Sequence, residues 1–332
     1  MSKLTISGAV NAALREELAR DDRVFVMGID VQIGVFGRTK GLAEEFGHER
    51  IRDTPISEEA FLGAGVGAAA AGLVPVVDLM FSNFLYVCFD QLANQAGKLR
   101  YMMGGSATFP LTILASTGSA GGHLGAQHSD YPAAPVMNCG GVKVVFPSNP
   151  EDAKGLLKSA IRDPNPVLFF THMAMDSVRG EVPDSEYLTP LSEARIALEG
   201  TDVTVVASGM MARRALEAAE QLAEHVSVEV IDPRTIHPVD LATILRSVEK
   251  TGRLVVVDEA RRTCSAGRDI IAQVASTAFS SLRCAPRLVA NPDVHIPVAP
   301  ELERQVIPQV EHIVSAIKET IASNRTHDFV RS

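Results

Sequence analysis

The sequence contains no tryptophan, and aromatic residues make up only 5% of its 332 residues. Hydrophobic residues nevertheless reach 46%, so the cores have to be built mainly from alanine, valine, leucine and isoleucine. The longest run without a polar or charged residue, Ala60–Val77, contains four glycines and a proline, so no run offers the roughly 18–20 strongly apolar residues that a membrane-spanning helix requires. We therefore expect no membrane-spanning segment.

Positive charge is also scarce, because 31 Lys and Arg residues face 40 Asp and Glu residues. The resulting net charge of −9 would repel the phosphates of nucleic acids and of anionic lipids. We expect neither nucleic acid nor a membrane surface as a partner. An ordinary acidic surface is the simplest interpretation of the charge.

The four cysteines are scattered, without a CxxC pair or a histidine at metal-ligand spacing (Cys88, Cys139, Cys264 and Cys284). This pattern is typical of reduced thiols in a cytoplasmic protein. The N-terminal residues run directly into a predicted helix, which leaves no room for a signal or transit peptide. The sequence thus predicts a cytoplasmic location.

Short β-branched runs alternate with longer helical patterns along most of the chain. Continuous apolar strands of this kind are typical of a parallel sheet that is covered on both faces. Up to residue 175, strands are predicted at 24–28, 73–79, 110–115, 142–146 and 167–170, and helices at 57–72, 83–101 and 149–162.

Between residues 176 and 192 the sequence becomes polar and contains proline, which predicts a linker. The chain is long for one domain, and we expect two, comprising residues 1–185 and 186–332. The alternation resumes in the second domain, with strands predicted at 203–208, 227–231, 254–258 and 287–290, and helices at 212–224, 240–250, 266–278 and from about 310. The predicted fold class is α/β, with two doubly wound domains and right-handed crossovers.

The most informative segment is Ser57-Glu58-Glu59, at the start of a predicted helix that continues into a run of small residues. An aromatic cluster containing Phe81, Phe84, Tyr86 and Phe89 follows it, and His128 lies further on in a Gly-Ala-Gln-His-Ser segment. This order resembles the β subunit of the thiamine-diphosphate-dependent, decarboxylating component of 2-oxoacid dehydrogenase complexes. That family includes the pyruvate, branched-chain and acetoin enzymes, and the resemblance covers nearly the whole chain.

The resemblance implies a pyrimidine-binding domain followed by a transketolase C-terminal-like domain, and it assigns Glu58 to the cofactor. A carboxyl group hydrogen-bonded to the pyrimidine ring promotes the tautomer that activates thiamine diphosphate, and it must lie in an apolar place. The alternative is that Ser57 caps a helix and both glutamates complement its dipole. The neighbouring Glu59 is expected to point elsewhere.

Two aromatic side chains receive roles from the same resemblance. Phe84 matches the residue that stacks on the aminopyrimidine ring; a plain core phenylalanine is the alternative, and Phe81 and Tyr86 are the other candidates for stacking. His128 matches the histidine beside the reacting carbon, where an imidazole can donate or accept a proton. A surface histidine is the alternative there, and His123 is the weaker candidate.

The run that starts at Gly63 also fits the G-x-G-x-x-A pattern of dinucleotide folds, but it does not follow a strand. Close helix packing explains its small residues better, and the resemblance places such a helix at a subunit interface beside the cofactor. The resemblance separately implies a β–β self-contact. The resemblance also implies a structural potassium ion in the loop that follows residue 159. An Asp/Asn-Pro turn without an ion is the alternative. The expected ligands are Thr112, Ala160, Ile161, Asp163 and Asn165.

The Gly-Asp-Gly…Asn motif that holds Mg²⁺ and the diphosphate in thiamine enzymes does not occur in this sequence. The chain therefore carries the pyrimidine half of the site, and an α subunit with that motif is expected to complete an α/β heterotetramer. The resemblance further implies transfer of the acyl group to the lipoyl domain of an acyltransferase core.

Three positions depart from the family pattern, since Ile29 and Thr171 replace acidic residues and Asn138 replaces a histidine. These departures lie among the residues expected to face the substrate.

The resemblance as a whole predicts a 2-oxoacid (pyruvate-like) or acetoin dehydrogenase β subunit that is active only with its α subunit. Two alternatives stay open. One is a split transketolase-like carboligase without a lipoyl acceptor, and the other is a non-catalytic scaffold subunit.

Overall fold

The computed structural model describes residues 1–323, and the chain divides into two compact units. The first comprises Met1–Gly118 and Gln127–Leu191, and the second comprises Ser119–Ala126 and Ser192–Ser332. The predicted boundary between residues 185 and 186 remains a prediction.

The first unit is built around a parallel sheet whose strands run in the order β6-β7-β5-β4-β2-β3. The strands of this unit are β1 Ser2–Thr5, β2 Val24–Gly28, β3 Ile51–Asp53, β4 Val74–Phe81, β5 Thr112–Thr117, β6 Lys143–Val145, β7 Val167–His172 and β8 Arg179–Val182. Strands β1 and β8 form a separate antiparallel pair. The helices of this unit are α1 Ile6–Arg20, α2 Leu42–Phe46, α3 Glu58–Ala70, α4 Gly97–Met102, α5 Ala133–Met137 and α6 Pro150–Ile161.

The second unit contains a five-stranded sheet in the order β14-β13-β10-β11-β9, in which only the edge strand β9 is antiparallel. The strands of this unit are β9 Arg195–Leu198, β10 Val203–Ala207, β11 Val228–Asp232, β12 Thr235–His237, β13 Leu254–Arg261 and β14 Arg287–Asn291. Its helices are α7 Gly209–Leu222, α8 Leu241–Thr251, α9 Ala266–Thr277, α10 Pro300–Val306 and α11 Val310–Ala322.

Two separate apolar clusters cover the sheet of the second unit. One joins α7 and α11 to the strands, and the other joins α8 and α9 to them. The central strands β10, β11 and β13 are buried on both faces for this reason, as their continuous apolar sequences predict. The predicted doubly wound α/β fold is confirmed.

The predicted single helix over residues 83–101 is wrong. The chain forms a short 3₁₀ helix at Ser82–Tyr86, then a π-helical turn at Gln91–Ala96, and only then α4. Gly97, the first residue of α4, lies close to the backbone of Gly140. A Cβ atom at Gly97 would lie 2.7 Å from the Gly140 carbonyl oxygen. Departures from regular α-helical geometry of this kind are frequent at functional sites, and they change where the aromatic side chains project.

The N-terminus and the predicted linker also differ from the prediction. Residues Ser2–Thr5 form a strand before α1 begins, and that strand pairs antiparallel with Arg179–Val182. The polar segment after residue 176 is thus partly ordered by backbone hydrogen bonds to the other end of the unit. Polar composition does not reveal such a long-range pairing.

Helix α3 packs on strand β4 through one of its glycines. A Cβ atom at Gly65 would lie 2.6 Å from Cγ2 of Val77, which is fully buried. Gly67 lies in the same helix but is exposed, with no atom within 4 Å of its Cβ position. Only the first of these glycines is required by packing.

We therefore predict opposite effects for two matched substitutions. Gly65→Ala should lower the free energy of unfolding by about 1–3 kcal/mol, because the β-branched Val77 cannot move aside without strain. Gly67→Ala should raise it by up to about 1 kcal/mol, because alanine is the better helix former. Urea denaturation of the isolated chain measures both, and equal effects would contradict this packing account.

Candidate active site

Glu58 is the first residue of α3, and its side chain is withdrawn from solvent. It is only 5% exposed, whereas Glu59 is exposed. Ser57 occupies the N-cap position but its side chain makes no capping hydrogen bond. Within residues 1–323, no hydrogen bond or ion pair to the Glu58 carboxylate is found, and its oxygens are not among the fully buried polar atoms that lack a partner. Helix capping therefore does not account for this buried acid.

Cys88 connects the surroundings of Glu58 to the 3₁₀ helix that carries Phe84. Its thiol donates to the Phe84 carbonyl at 3.3 Å. Burial raises the pKa of Cys88 to about 12, and the negative charge of Glu58 adds to this shift. The thiol is consequently neutral near pH 7 and acts as a small packing group rather than as a nucleophile.

The predicted aromatic residues form one cluster within the first unit. The Phe81 ring lies 4.6 Å from the His128 ring and 5.9 Å from the Phe84 ring, between ring centroids. His128 also contacts Phe84 at 5.7 Å, and all three pairs are edge-to-face. Tyr86, an alternative candidate for stacking, is exposed. The structure thus brings Phe84 and His128 together.

The backbone that follows His128 is held by side chains of two elements. Ser82 and Thr117 each donate a hydroxyl hydrogen bond to the Asp130 carbonyl, at 2.6 and 2.7 Å. The Asp130 amide donates to the Asn83 side chain at 3.1 Å. His123, the weaker candidate, is exposed and belongs to the second unit, where its amide donates to the Val298 carbonyl.

A β-bulge at the carboxyl end of β4 gives Phe81 its direction. The register of β4 against β5 shifts between Asp78 and Phe81, and the intervening Met80 has a φ of 60°. The Met80 amide donates to the Asp78 carboxylate at 2.9 Å, which closes the bulge. Bulges of this kind redirect a side chain and are common beside active sites.

Arg38 is the partner of Asp78, and the sequence analysis did not single out either residue. Both are almost fully buried. Arg38 donates from Nε to Asp78 at 2.7 Å and makes a second, parallel bond from Nη2. A signal was present in the sequence, because an aspartate within the apolar run of β4 requires a buried cation or donors.

The three departures from the family pattern lie in different surroundings. Thr171 accepts a hydrogen bond from Arg38 at 3.1 Å, and Ile29 lines a small cavity of about 10 Å³ beside Arg38 and Asp78. Asn138 is exposed at the end of α5. The first two therefore surround the Arg38–Asp78 ion pair.

The Asp163 carboxylate of the loop predicted to hold potassium is already paired with a lysine of β6. Lys143 forms an ion pair with the Asp163 carboxylate, which also accepts two hydrogen bonds from Asn165 at 2.9 Å. The Thr112 hydroxyl is buried and has no hydrogen-bond partner in the described structure. The Ala160 carbonyl accepts a hydrogen bond from the Asp163 amide at 3.2 Å, and Ile161 is the last residue of α6. Potassium in this loop stays a prediction.

Comparison with known proteins places this chain in a defined class. The family model described as "Transketolase, pyrimidine binding domain" matches residues 2–175, and "Transketolase, C-terminal domain" matches residues 192–313. A solved split-gene transketolase, described as an inactive beta4 tetramer, superposes with a TM-score of 0.80 at 23% identity, covering 97% of this chain and all of that one. A Leishmania mexicana transketolase gives 0.70 at 16%, covering 97% and 46%. The fold is transketolase-like.

Curated relatives narrow the class to a family. The beta subunit of acetoin:2,6-dichlorophenolindophenol oxidoreductase from Cupriavidus necator is 45% identical, over 97% of this chain and 99% of its own length. The Bacillus subtilis protein of the same name is 42% identical, over 96% and 97%. Subunit beta-1 of the mitochondrial pyruvate dehydrogenase E1 component from Arabidopsis thaliana is 44% identical, over 95% and 89%. The chain belongs to the transketolase-like family of acetoin oxidoreductase and pyruvate dehydrogenase E1 β subunits.

Two further observations concern membranes and metals. No helix within residues 1–323 has the length and apolar character to cross a membrane. In the same residues, no group of three or more His, Cys, Asp or Glu side chains is arranged to hold a metal ion.

Asp176 lies near the Arg38–Asp78 pair, and burial raises its pKa to about 6, although Arg38 and His172 act in the opposite direction. The negative charge of Asp78 contributes to the increase. The folded chain therefore binds this proton more tightly than the unfolded chain does. The resulting stabilisation is present below about pH 4 and is lost as the pH rises through about 6.

We predict that Asp176→Asn removes this loss, because the amide stays neutral at every pH. Relative to the wild type, the free energy of unfolding of the variant should increase by about 1–3 kcal/mol between pH 4 and pH 7. Denaturant titrations at several pH values measure this difference. A difference that stays constant over that range would show that Asp176 does not titrate in this way.

Proposed function

We propose that this chain is the β subunit of a thiamine-diphosphate-dependent enzyme that acts on a 2-oxoacid or on acetoin together with an α partner. The observation that carries the proposal is the buried Glu58 carboxylate, which has no donor of its own among residues 1–323. A side chain that is 5% exposed and has no partner within the described part of its own chain leaves its carboxylate free to bind a ligand. The relatives that share up to 45% identity are themselves named as β subunits of acetoin and pyruvate enzymes.

Thiamine diphosphate, when bound, supplies an acidic thiazolium carbon that can add to a substrate carbonyl. In this proposal, Glu58 holds a hydrogen bond to a nitrogen of the pyrimidine ring. Its burial supports this role, because hydrogen bonds are stronger where water is excluded. The Phe84 ring, in the 3₁₀ helix that follows β4, would contact the face of the pyrimidine and limit its rotation.

His128 is assigned to the substrate rather than to the pyrimidine. Its ring is partly exposed and is fixed by Phe81 and Phe84 on two sides. An imidazole held in this way can donate a proton to, or accept one from, the substrate oxygen near neutral pH. Its edge-to-face contacts orient the ring without occupying its nitrogens.

The remaining parts of the site are proposed to come from the partner. An α subunit with a Gly-Asp-Gly…Asn motif would hold Mg²⁺ and the diphosphate, since this sequence has no such motif. The assembly proposed is an α/β heterotetramer with a β–β contact, which delivers its acyl group to a lipoyl acyltransferase core. The cytoplasmic location also remains a prediction.

Substrate assays separate the alternative functions. A split transketolase-like carboligase would join two carbonyl compounds without reducing an artificial electron acceptor, whereas the proposed enzyme would reduce 2,6-dichlorophenolindophenol with acetoin or a 2-oxoacid. A scaffold subunit would support neither reaction. The split-gene transketolase superposition shows only the shared fold, because its identity is 23%.

We predict that Glu58→Gln in the reconstituted α/β complex lowers turnover by roughly 10²–10⁴-fold, because a neutral amide cannot promote the reactive tautomer. The matched variant Glu59→Gln should change turnover by no more than about two- to threefold, as expected for an exposed position. Steady-state rates measured with acetoin and a panel of 2-oxoacids give both values.

Assembly should be unaffected in both variants, which size-exclusion chromatography of the complexes checks. Exchange of the thiazolium proton with deuterium should slow in Glu58→Gln alone. Equal losses in the two variants, or a larger loss in Glu59→Gln, would mean that the carboxylate has been assigned to the wrong residue.

A further inference from the structure

We propose that Arg38 and Phe36 are positioning residues. They set the orientation of the His128 ring indirectly, through their contacts with Phe81 and with the bulge that directs it. The inference rests on the proposed function only for the catalytic importance of His128. The geometry of the support belongs to the first unit alone.

One guanidinium group joins three neighbouring strands at their carboxyl ends. Arg38 binds Asp78 of β4 through two parallel hydrogen bonds, and its Nη1 donates to Ser116 of β5 at 2.6 Å and to Thr171 of β7 at 3.1 Å. These side chains are all buried. Active sites of open α/β sheets form at this end of the strands.

The guanidinium group of Arg38 also stabilises the β-bulge that directs Phe81. One Asp78 oxygen accepts both from Arg38 Nη2 and from the Met80 amide, and Nη2 additionally approaches the Met80 carbonyl at 3.4 Å. Met80 has a positive φ, which for a side chain of its kind is strained. The ion pair therefore maintains a backbone conformation that Met80 would not adopt by itself.

Phe36 forms a second connection between Arg38 and Phe81. The Arg38 guanidinium lies 5.0 Å from the Phe36 ring centroid, and the Phe36 ring packs edge-to-face on Phe81 at 5.4 Å. Phe81 in turn contacts His128. The order of contacts is thus guanidinium, ring, ring and imidazole.

The loop that carries this pair is itself anchored to α1. Ser7 donates its hydroxyl to the Phe36 carbonyl at 2.8 Å, and the Asn11 amide donates to the carbonyls of Arg38 and Lys40 at 3.1 and 3.0 Å. A support can set the position of another group only if it is fixed independently of that group. These hydrogen bonds provide that independence.

If the Arg38–Asp78 ion pair only stabilised the fold, weakening its two hydrogen bonds would leave the orientation of the His128 ring unchanged. We therefore test the ring directly in the full chain, by NMR of histidine labelled with ¹³C at Cε1. The His128→Gln variant identifies the His128 signal among the nine histidines. The signal carries a ring-current shift from Phe81 and Phe84, so it reports the ring geometry without any activity.

Two variants weaken the support in different ways. Arg38→Lys keeps the positive charge beside Asp78 but loses the planar fork, and Phe36→Leu removes a ring without touching a charge. In both, the His128 signal should move toward that of a solvent-exposed histidine. Phe46→Leu is the matched control, because it removes a ring that lies under Arg50 at 5.7 Å in another part of the unit, and it should leave the signal in place.

In the reconstituted complex, the same two variants should lower kcat by about 10- to 100-fold, as expected when a reacting group is displaced. Deuterium exchange of the thiazolium proton should stay near the wild-type rate, because Glu58 is unchanged. If Arg38→Lys does not fold, Phe36→Leu decides the question.

An unchanged His128 signal in a folded Phe36→Leu chain, or an equal shift in Phe46→Leu, would overturn the inference. A wild-type complex without activity on any substrate would contradict the proposed function instead. The NMR comparison would still decide whether Arg38 and Phe36 position the ring.

Discussion

A carboxylate withdrawn from water must be matched by a cation or by hydrogen-bond donors, and this requirement organises both compact units. Asp78 is matched by the Arg38 fork, Glu17 by Arg162, and Glu229 by Lys250. The Glu303 carboxylate accepts from the amides of two consecutive glycines. Within residues 1–323, Glu58 is the buried acid that the chain itself leaves unmatched, and this exception defines the candidate site.

Close packing and one of the matched acids hold the elements around Glu58 in place. Packing of Gly65 against Val77 fixes α3 on β4, and the bulge at the end of β4 is closed by Asp78. The aromatic cluster follows directly from that bulge, since Phe81 leaves it toward His128. A site whose parts are held by buried charge pairs and close helix–strand contact is preorganised, which is what a reaction that depends on the relative position of two rings requires.

The alternation of apolar strands and helices was sufficient to predict the two doubly wound domains, because burial on both faces leaves a direct imprint on the sequence. Glu58, Phe84 and His128 were identified through family resemblance, and their burial and contacts agree with the proposed roles. Arg38 was not identified, because the partner of Asp78 lies 40 residues away in a loop without periodicity. The break in the predicted 83–101 helix and the pairing of the N-terminus with Arg179–Val182 were missed for a similar reason. Both arise from contacts between distant segments rather than from local propensity.

We propose that this chain contributes one half of a shared cofactor site, with Glu58 as the buried carboxyl group that would bond to the pyrimidine ring. Isothermal titration calorimetry with thiamine diphosphate and Mg²⁺ tests it most directly, on the isolated chain, on the α partner, and on the complex with and without Glu58→Gln. We predict saturable binding by the complex, weaker binding by the Glu58→Gln complex, and no saturable binding by the isolated chain. Tight binding by the isolated chain, or binding by the complex that does not change with Glu58→Gln, would contradict it.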